Sequence, residues 1–107
     1  MSVIEYNKLV RDKIPQIIED DNKKCSVRIL DDEEYLRMVD AKLDEELAEY
    51  HKDQNIEELA DLLEVIYAAT KARGYSIEDL ECIRKETTDK RGAFDKKIFL
   101  ETVTENE

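Results

Sequence analysis

Glycine, proline, cysteine and histidine are all scarce in this chain, with two, one, two and one of them among 107 residues. Gly74, Gly92 and Pro15 are the only strong punctuation, which disfavours a turn-rich all-β fold, and no segment reads as a Gly/Ser linker. Cys25 and Cys82 are too few and too far apart for a disulfide framework or a zinc site, so reduced thiols are expected. No run of about 18 apolar residues is present, so no transmembrane helix is expected. Met1 to Arg11 lacks the apolar stretch of a secretory signal, which leads to the expectation of a cytoplasmic protein with no membrane partner. Basic residues are also in deficit, 17 against 28 acids, for a net charge of −11. That argues against a nucleic-acid polymer as partner, because such binders are basic. The length allows a single domain, residues 1–107, with a modest core that partner subunits would enlarge.

The acidity is local. Residues 1–30 hold five acids and six bases, and residues 65–107 hold nine acids and eight bases. Residues 31–64 hold fourteen acids and three bases, so nearly the whole imbalance sits in one block.

Hydrophobic spacing predicts four helices. The first runs from Asp12 to Lys24, with Asp12 as N-cap, Pro15 in the first turn, and Ile14, Ile17 and Ile18 as its apolar side. Ser26 to Leu30 reads as an edge strand or extended linker. Asp31 or Asp32 caps a second helix to Lys52, striped by Leu36, Val39, Leu43, Leu47 and Tyr50. Asn55 caps a third, Ile56 to Arg73, stopped by Gly74. Between Leu59 and Ala69 this helix carries only Asp61 and Glu64 as charges. A helix apolar around most of its circumference is buried, by its own domain or by a partner subunit. Ser76 and Asp79 form a capping box for a fourth helix to Arg91, with Ile77, Leu80 and Ile83 facing inward and Gly92 ending it. Ile98 to Val103 reads as a short strand, and residues from about 102 to 107 as a flexible tail. The expected fold is a compact all-α bundle of about four helices, with one or two short extended segments, assembled as an oligomer.

Carboxylates are paired on the second and third helices. Glu46 and Glu49 are three apart, as are Glu58 and Asp61, and residues three apart share a helix face. A short turn near Asp53 to Asn55 makes the two helices antiparallel neighbours, each presenting its pair to the other. Relative to Leu43, Glu46 and Glu49 lie roughly 60° and 120° round the helix, at the border of the apolar stripe. Carboxylates crowded there repel, and a hard cation with oxygen ligands offsets that cost. Mg²⁺ suits phosphoanhydride chemistry: it neutralises polyphosphate, acidifies a coordinated water and stabilises the leaving group. A solvated acidic face is the competing reading. Asp61 weighs against it, having an apolar setting and no cationic neighbour on its own helix. Glu64, one turn on, is a further ligand, a supporting group or an exposed residue.

These residues resemble a known family. Lys42-Leu43 leading into Glu45-Glu46-Leu47-Ala48-Glu49, then Glu57-Glu58-Leu59-Ala60-Asp61-Leu62-Leu63-Glu64, is similar to the all-α nucleoside triphosphate pyrophosphohydrolases, the MazG-like enzymes and their phosphoribosyl-ATP pyrophosphohydrolase relatives. The opening Tyr6-Asn7-Lys8-Leu9-Val10-Arg11-Asp12-Lys13-Ile14-Pro15 and the ending Lys90-Arg91-Gly92-Ala93-Phe94 resemble a small single-domain subgroup, phosphoribosyl-ATP pyrophosphohydrolase-like. The resemblance implies cleavage between the α and β phosphates of a nucleotide to monophosphate and pyrophosphate, with Mg²⁺ as cofactor and Mn²⁺ as a substitute. It implies Glu46, Glu49, Glu58 and Asp61 as metal ligands, Glu45 or Glu49 as general base, and a homodimer or homotetramer. One departure is that only eight residues separate Glu49 from Glu58, which shortens the connection that would cover a base.

Triphosphate also needs cationic donors. Lys8, Arg11 and Lys13 cluster before the first helix, and Lys85, Lys90 and Arg91 near the end of the fourth, where bases also complement the helix dipole. Tyr6 and Phe94 are expected in core packing ahead of base stacking, and His51 at the surface. Two rivals stand beside the leading reading of a nucleotide pyrophosphohydrolase that clears unwanted nucleotides. One is phosphoribosyl-ATP hydrolysis in histidine synthesis. The other is a non-catalytic acidic helical interaction module.

Overall fold

The computed structural model describes residues 2–105. Four helices follow in order: α1 (Ile14–Asp20), α2 (Asp32–Asp53), α3 (Ile56–Ala72) and α4 (Ile77–Arg91). The described residues contain no strand, so Ser26–Leu30 and Ile98–Val103 are extended segments without ladder partners. Strand pairing needs a second chain segment to take up backbone N–H and C=O groups, and neither segment has one.

Three of the helices begin on side-chain caps. Asp31 Oδ1 accepts the Glu34 N–H at 2.8 Å, and Asn55 Oδ1 accepts the Glu58 N–H at 3.0 Å. Ser76 and Asp79 complete a reciprocal capping box, at 2.9 and 3.0 Å. Each such contact satisfies an amide that the first turn leaves unpaired. α1 differs from expectation. Lys13 occupies its N-cap with no side-chain contact, and the helix ends at Asp20, short of Lys24. Its last turn holds no base to match the dipole, and Asn22 adopts a left-handed φ of 59°.

α2 and α3 form an antiparallel hairpin through a two-residue connection. Gln54, at a left-handed φ of 53°, donates its N–H to Tyr50 O at 2.7 Å and turns the chain, and Asn55 restarts it. α4 packs on the end of α3, and α1 packs on no other helix. Val39 on α2 is the one fully buried side chain among the described residues, a contribution of about 2 kcal/mol.

The expected four helices are present, but compactness is not a property of the single chain. Its radius of gyration is 19.3 Å. A compact chain of this length would have about 13 Å. No residue of α3 is buried despite its composition, and Ile83 on α4 is exposed where an inward position was expected. Tyr6 and Phe94 are exposed as well, so neither packs in a core. In α4 only Ile77 and Leu80 of the apolar set are half-buried, because a single weakly packed neighbour covers one narrow side. No helix among the described residues is long and apolar enough to cross a membrane.

Candidate metal centre

The hairpin brings the paired carboxylates together. Glu46, Glu49 and Asp53 follow one another along α2 at spacings of three and four, down one face. α3 returns past them from Asn55 and presents Glu58 in its first turn and Asp61 in its second. Two acidic triads result, and Glu58 belongs to both. Glu46, Glu58 and Asp61 each place a carboxylate oxygen within 4.8 Å of the others, and so do Glu49, Asp53 and Glu58. The first set is half-buried. In the second, Glu49 and Asp53 are exposed.

These donors fit a small hard cation. Oxygens round one octahedral Mg²⁺ lie about 3 to 4 Å apart, so a set spanning 4.8 Å closes on an ion by side-chain rotation. All-carboxylate donors are the chemistry that Mg²⁺ or Mn²⁺ prefers to softer sites.

Three cations border the cluster. Lys42 Nζ lies 2.9 Å from Glu45 Oε2 and 3.7 Å from Glu46 Oε1. Lys8 Nζ donates to Glu45 Oε1 at 2.7 Å, and Arg11 Nη2 to Asp61 Oδ1 at 2.8 Å. The extended segment ahead of α1 is therefore laid along the acidic hairpin by its own bases. Six carboxylates (Glu45, Glu46, Glu49, Asp53, Glu58 and Asp61) face these three cations, which leaves a surplus of negative charge.

The electrostatics follow that distribution. Partial loss of water, then repulsion from Asp53, Asp61, Glu49 and Glu46, raises the Glu58 carboxyl above its ordinary value. Hydrogen bonds from Lys8 and then Lys42 hold Glu45 below its ordinary value. The same bond to Glu45, helped by the charges of Glu46 and Glu49, raises Lys8. With both oxygens taken by lysines, Glu45 is placed to anchor the N-terminal segment and orient its neighbours. Glu49 makes no ion pair among the described residues and faces solvent.

The other residues singled out in the sequence lie elsewhere. Lys13 caps α1 and pairs with no acid among the described residues. Lys90 lies 3.4 Å from Glu86 on its own helix, and neither Lys85 nor Arg91 makes an ion pair among the described residues. Two residues not singled out belong to the site. Asp53 was readable as the fourth residue after Glu49, and Lys42 as three and four residues before Glu45 and Glu46. Two hollows in the surface, one beside Ile17, Ile18 and Lys23 and one at residues 91–98, are lined by none of the carboxylates. The centre is defined by converging charge.

No family model matches the chain, and no solved structure matches it. An uncharacterized protein of Mycolicibacterium smegmatis is 51% identical over 41 residues, which cover 38% of this chain and 42% of that protein. The chain thus spans less than half the length of that relative, to which no activity is assigned.

Proposed function

We propose that the chain is a Mg²⁺-dependent nucleotide pyrophosphohydrolase, cleaving the α–β phosphoanhydride of a nucleoside triphosphate to monophosphate and pyrophosphate. The observation that carries this reading is the convergence of Glu46, Glu58 and Asp61, from two helices, to within 4.8 Å. The resemblance of the two carboxylate motifs and their flanking segments to the MazG-like enzymes supports it. On this reading the physiological task is removal of surplus or non-canonical nucleotides in the cytoplasm, by a homodimer or homotetramer.

Glu46, Glu58 and Asp61 would hold Mg²⁺, and Glu49 with Asp53 offers a second position that shares Glu58. The ion supplies charge neutralisation for the polyphosphate and acidifies water. The chain supplies the rest. With that second position empty, Glu49, which is exposed and makes no ion pair among the described residues, would be free to accept the proton from the attacking water. Glu45 keeps Lys8 and Lys42 at the rim. Lys8 and Arg11 exchange their carboxylate partners for phosphate oxygens, which gives the far end of the substrate its cationic hold. Lys85, Lys90 and Arg91 on α4 are further candidate donors to phosphate oxygens, none of them paired with the carboxylates of the cluster.

The experiment is a nucleotide panel, phosphoribosyl-ATP included, incubated with Mg²⁺ and assayed for monophosphate and pyrophosphate. Asp61→Asn and Glu46→Gln should each lower turnover by about 100-fold or more. If no nucleotide is cleaved, and neither variant changes the thermal shift produced by Mg²⁺, the acidic surface is a binding face for a basic partner and not an active site.

A further inference from the structure

Tyr6 is 66% exposed, yet its ring is tied to the edge of the acidic cluster. Lys8 Nζ sits over the ring, 5.9 Å from its centroid, and the same Nζ donates to Glu45 Oε1 at 2.7 Å. A cation at that range is attracted by the negative face of an aromatic ring. Asn7, between the two, takes a left-handed φ of 48°, which asparagine adopts more readily than most residues, and the chain bends there. One side of the ring is thus turned to Lys8, and the exposure leaves the other side open. Tyr75, Phe94 and Phe99 are exposed too, but among the described residues none of them meets a cation.

The N-terminal segment crosses the hairpin in a fixed order. Arg11 meets Asp61, Lys8 meets Glu45, and Tyr6 follows two residues on. Asp61 belongs to the half-buried triad, and Glu45 adjoins Glu46 of the same triad in sequence. Phosphates at the triad would have cationic donors beside them and an aromatic face just past the donors. A nucleotide carries its groups in the same order: polyphosphate, one sugar, then a flat base. The connection between α2 and α3 offers no substitute, because Gln54 and Asn55 alone make no loop that could enclose a base.

We infer that Tyr6 is the platform on which the nucleobase stacks, with Lys8 holding the ring and linking it to the phosphate side. The inference deepens the pyrophosphohydrolase reading and rests on it for the position of the phosphates. Stacking uses the π-face that every base presents and does not read the donors and acceptors at its edge. A site whose base contact is a ring accepts adenine, guanine, cytosine and uracil alike, and also bases with an altered edge. That breadth is what the removal of non-canonical nucleotides requires.

Calorimetry on the full chain tests it, with Mg²⁺ and the α,β-methylene analogues of ATP, GTP, CTP and UTP, which cannot be split at that bond. Tyr6→Ala should weaken the binding of each analogue about tenfold, as expected for loss of stacking at an open site. It should leave the binding of inorganic tripolyphosphate, which has no base, unchanged. Tyr6→Phe should bind all of them as the wild type does. A wild type that binds no analogue overturns the inference. So does Tyr6→Ala if it has no effect, if it weakens tripolyphosphate equally, or if its loss is confined to one base. Cleavage is assayed separately. Analogues that bind through Tyr6 while no nucleotide is hydrolysed would remove the pyrophosphohydrolase reading and leave the stacking platform in place.

Discussion

Arg11 and Asp61, fifty positions apart, are joined by a 2.8 Å hydrogen bond between guanidinium and carboxylate. The contact ties the extended N-terminal segment to the second turn of α3, at a residue of the half-buried acidic triad. Arg11 thus occupies an acid that the proposed metal ion would claim, so the two cations would compete.

Replacing Arg11 with Gln separates those roles. Both side chains are about half exposed, so stability should change by no more than about 1 kcal/mol. Mg²⁺ affinity, measured by calorimetry, should rise several-fold once the competing charge is gone. With nucleotide present, KM should increase because a phosphate donor is lost. Weaker Mg²⁺ binding in the variant would rule out competition at Asp61.

Glu58→Gln should act in opposite directions with and without metal. Its raised value means that ionisation at neutral pH costs stability, which returns as pH falls through that value. Without divalent ions, the variant should therefore melt at a higher temperature than the wild type at pH 7. With Mg²⁺, the stabilisation expected of the wild type should shrink in the variant, since Glu58 belongs to both triads. A variant that melts lower in metal-free buffer would contradict the crowding.

Glu45 has the reverse sign. Its value is depressed by the hydrogen bonds from Lys8 and Lys42, so its contribution is present above the ordinary glutamate value and disappears as pH falls through the depressed one. Urea unfolding should show Glu45→Gln less stable than wild type at pH 7, by about 1 kcal/mol or less for so open a site. The two curves should converge once the pH has fallen below the depressed value. A constant gap across that range would mean that the loss is not electrostatic.

The capping box of α4 should matter more than its exposure suggests. α4 has no buried residue and rests on α3 at one end, so packing offers little to hold it. Ser76→Ala should cost about 1 kcal/mol and loosen the helix before the rest of the chain. Hydrogen exchange should show faster exchange of α4 amides while those of α2 keep their protection.

What could be read from the sequence was whatever depends on near neighbours. The caps at Asp31, Asn55 and Ser76 use amides three residues away, and the carboxylate pairs use the helical repeat. Asp12 was misleading because a capping residue type does not by itself fix the frame: Lys13 takes the cap and places Pro15 in the first turn. Ile83 was misleading for another reason. Periodicity says which residues share a face, not whether anything lies against it. The contacts from Lys8 to Glu45 and from Arg11 to Asp61 cross 37 and 50 positions, and no local pattern encodes which base meets which acid. Asp53 escaped notice because it sits at the last position of α2, where it reads as part of the turn.

Between Asp53 and Ile56 the chain spends just Gln54 and Asn55. The acidic triads are therefore specified by a length as much as by side-chain identity. One inserted residue would turn α3 by about 100° if the helix kept its start, and Glu58 and Asp61 would swing off the face that meets α2. Substitution at Gln54 can leave the carboxylates in step, whereas insertion or deletion cannot. The connection behaves as a gauge that holds the two halves of the centre in phase, and its tolerance should be for composition and not for count.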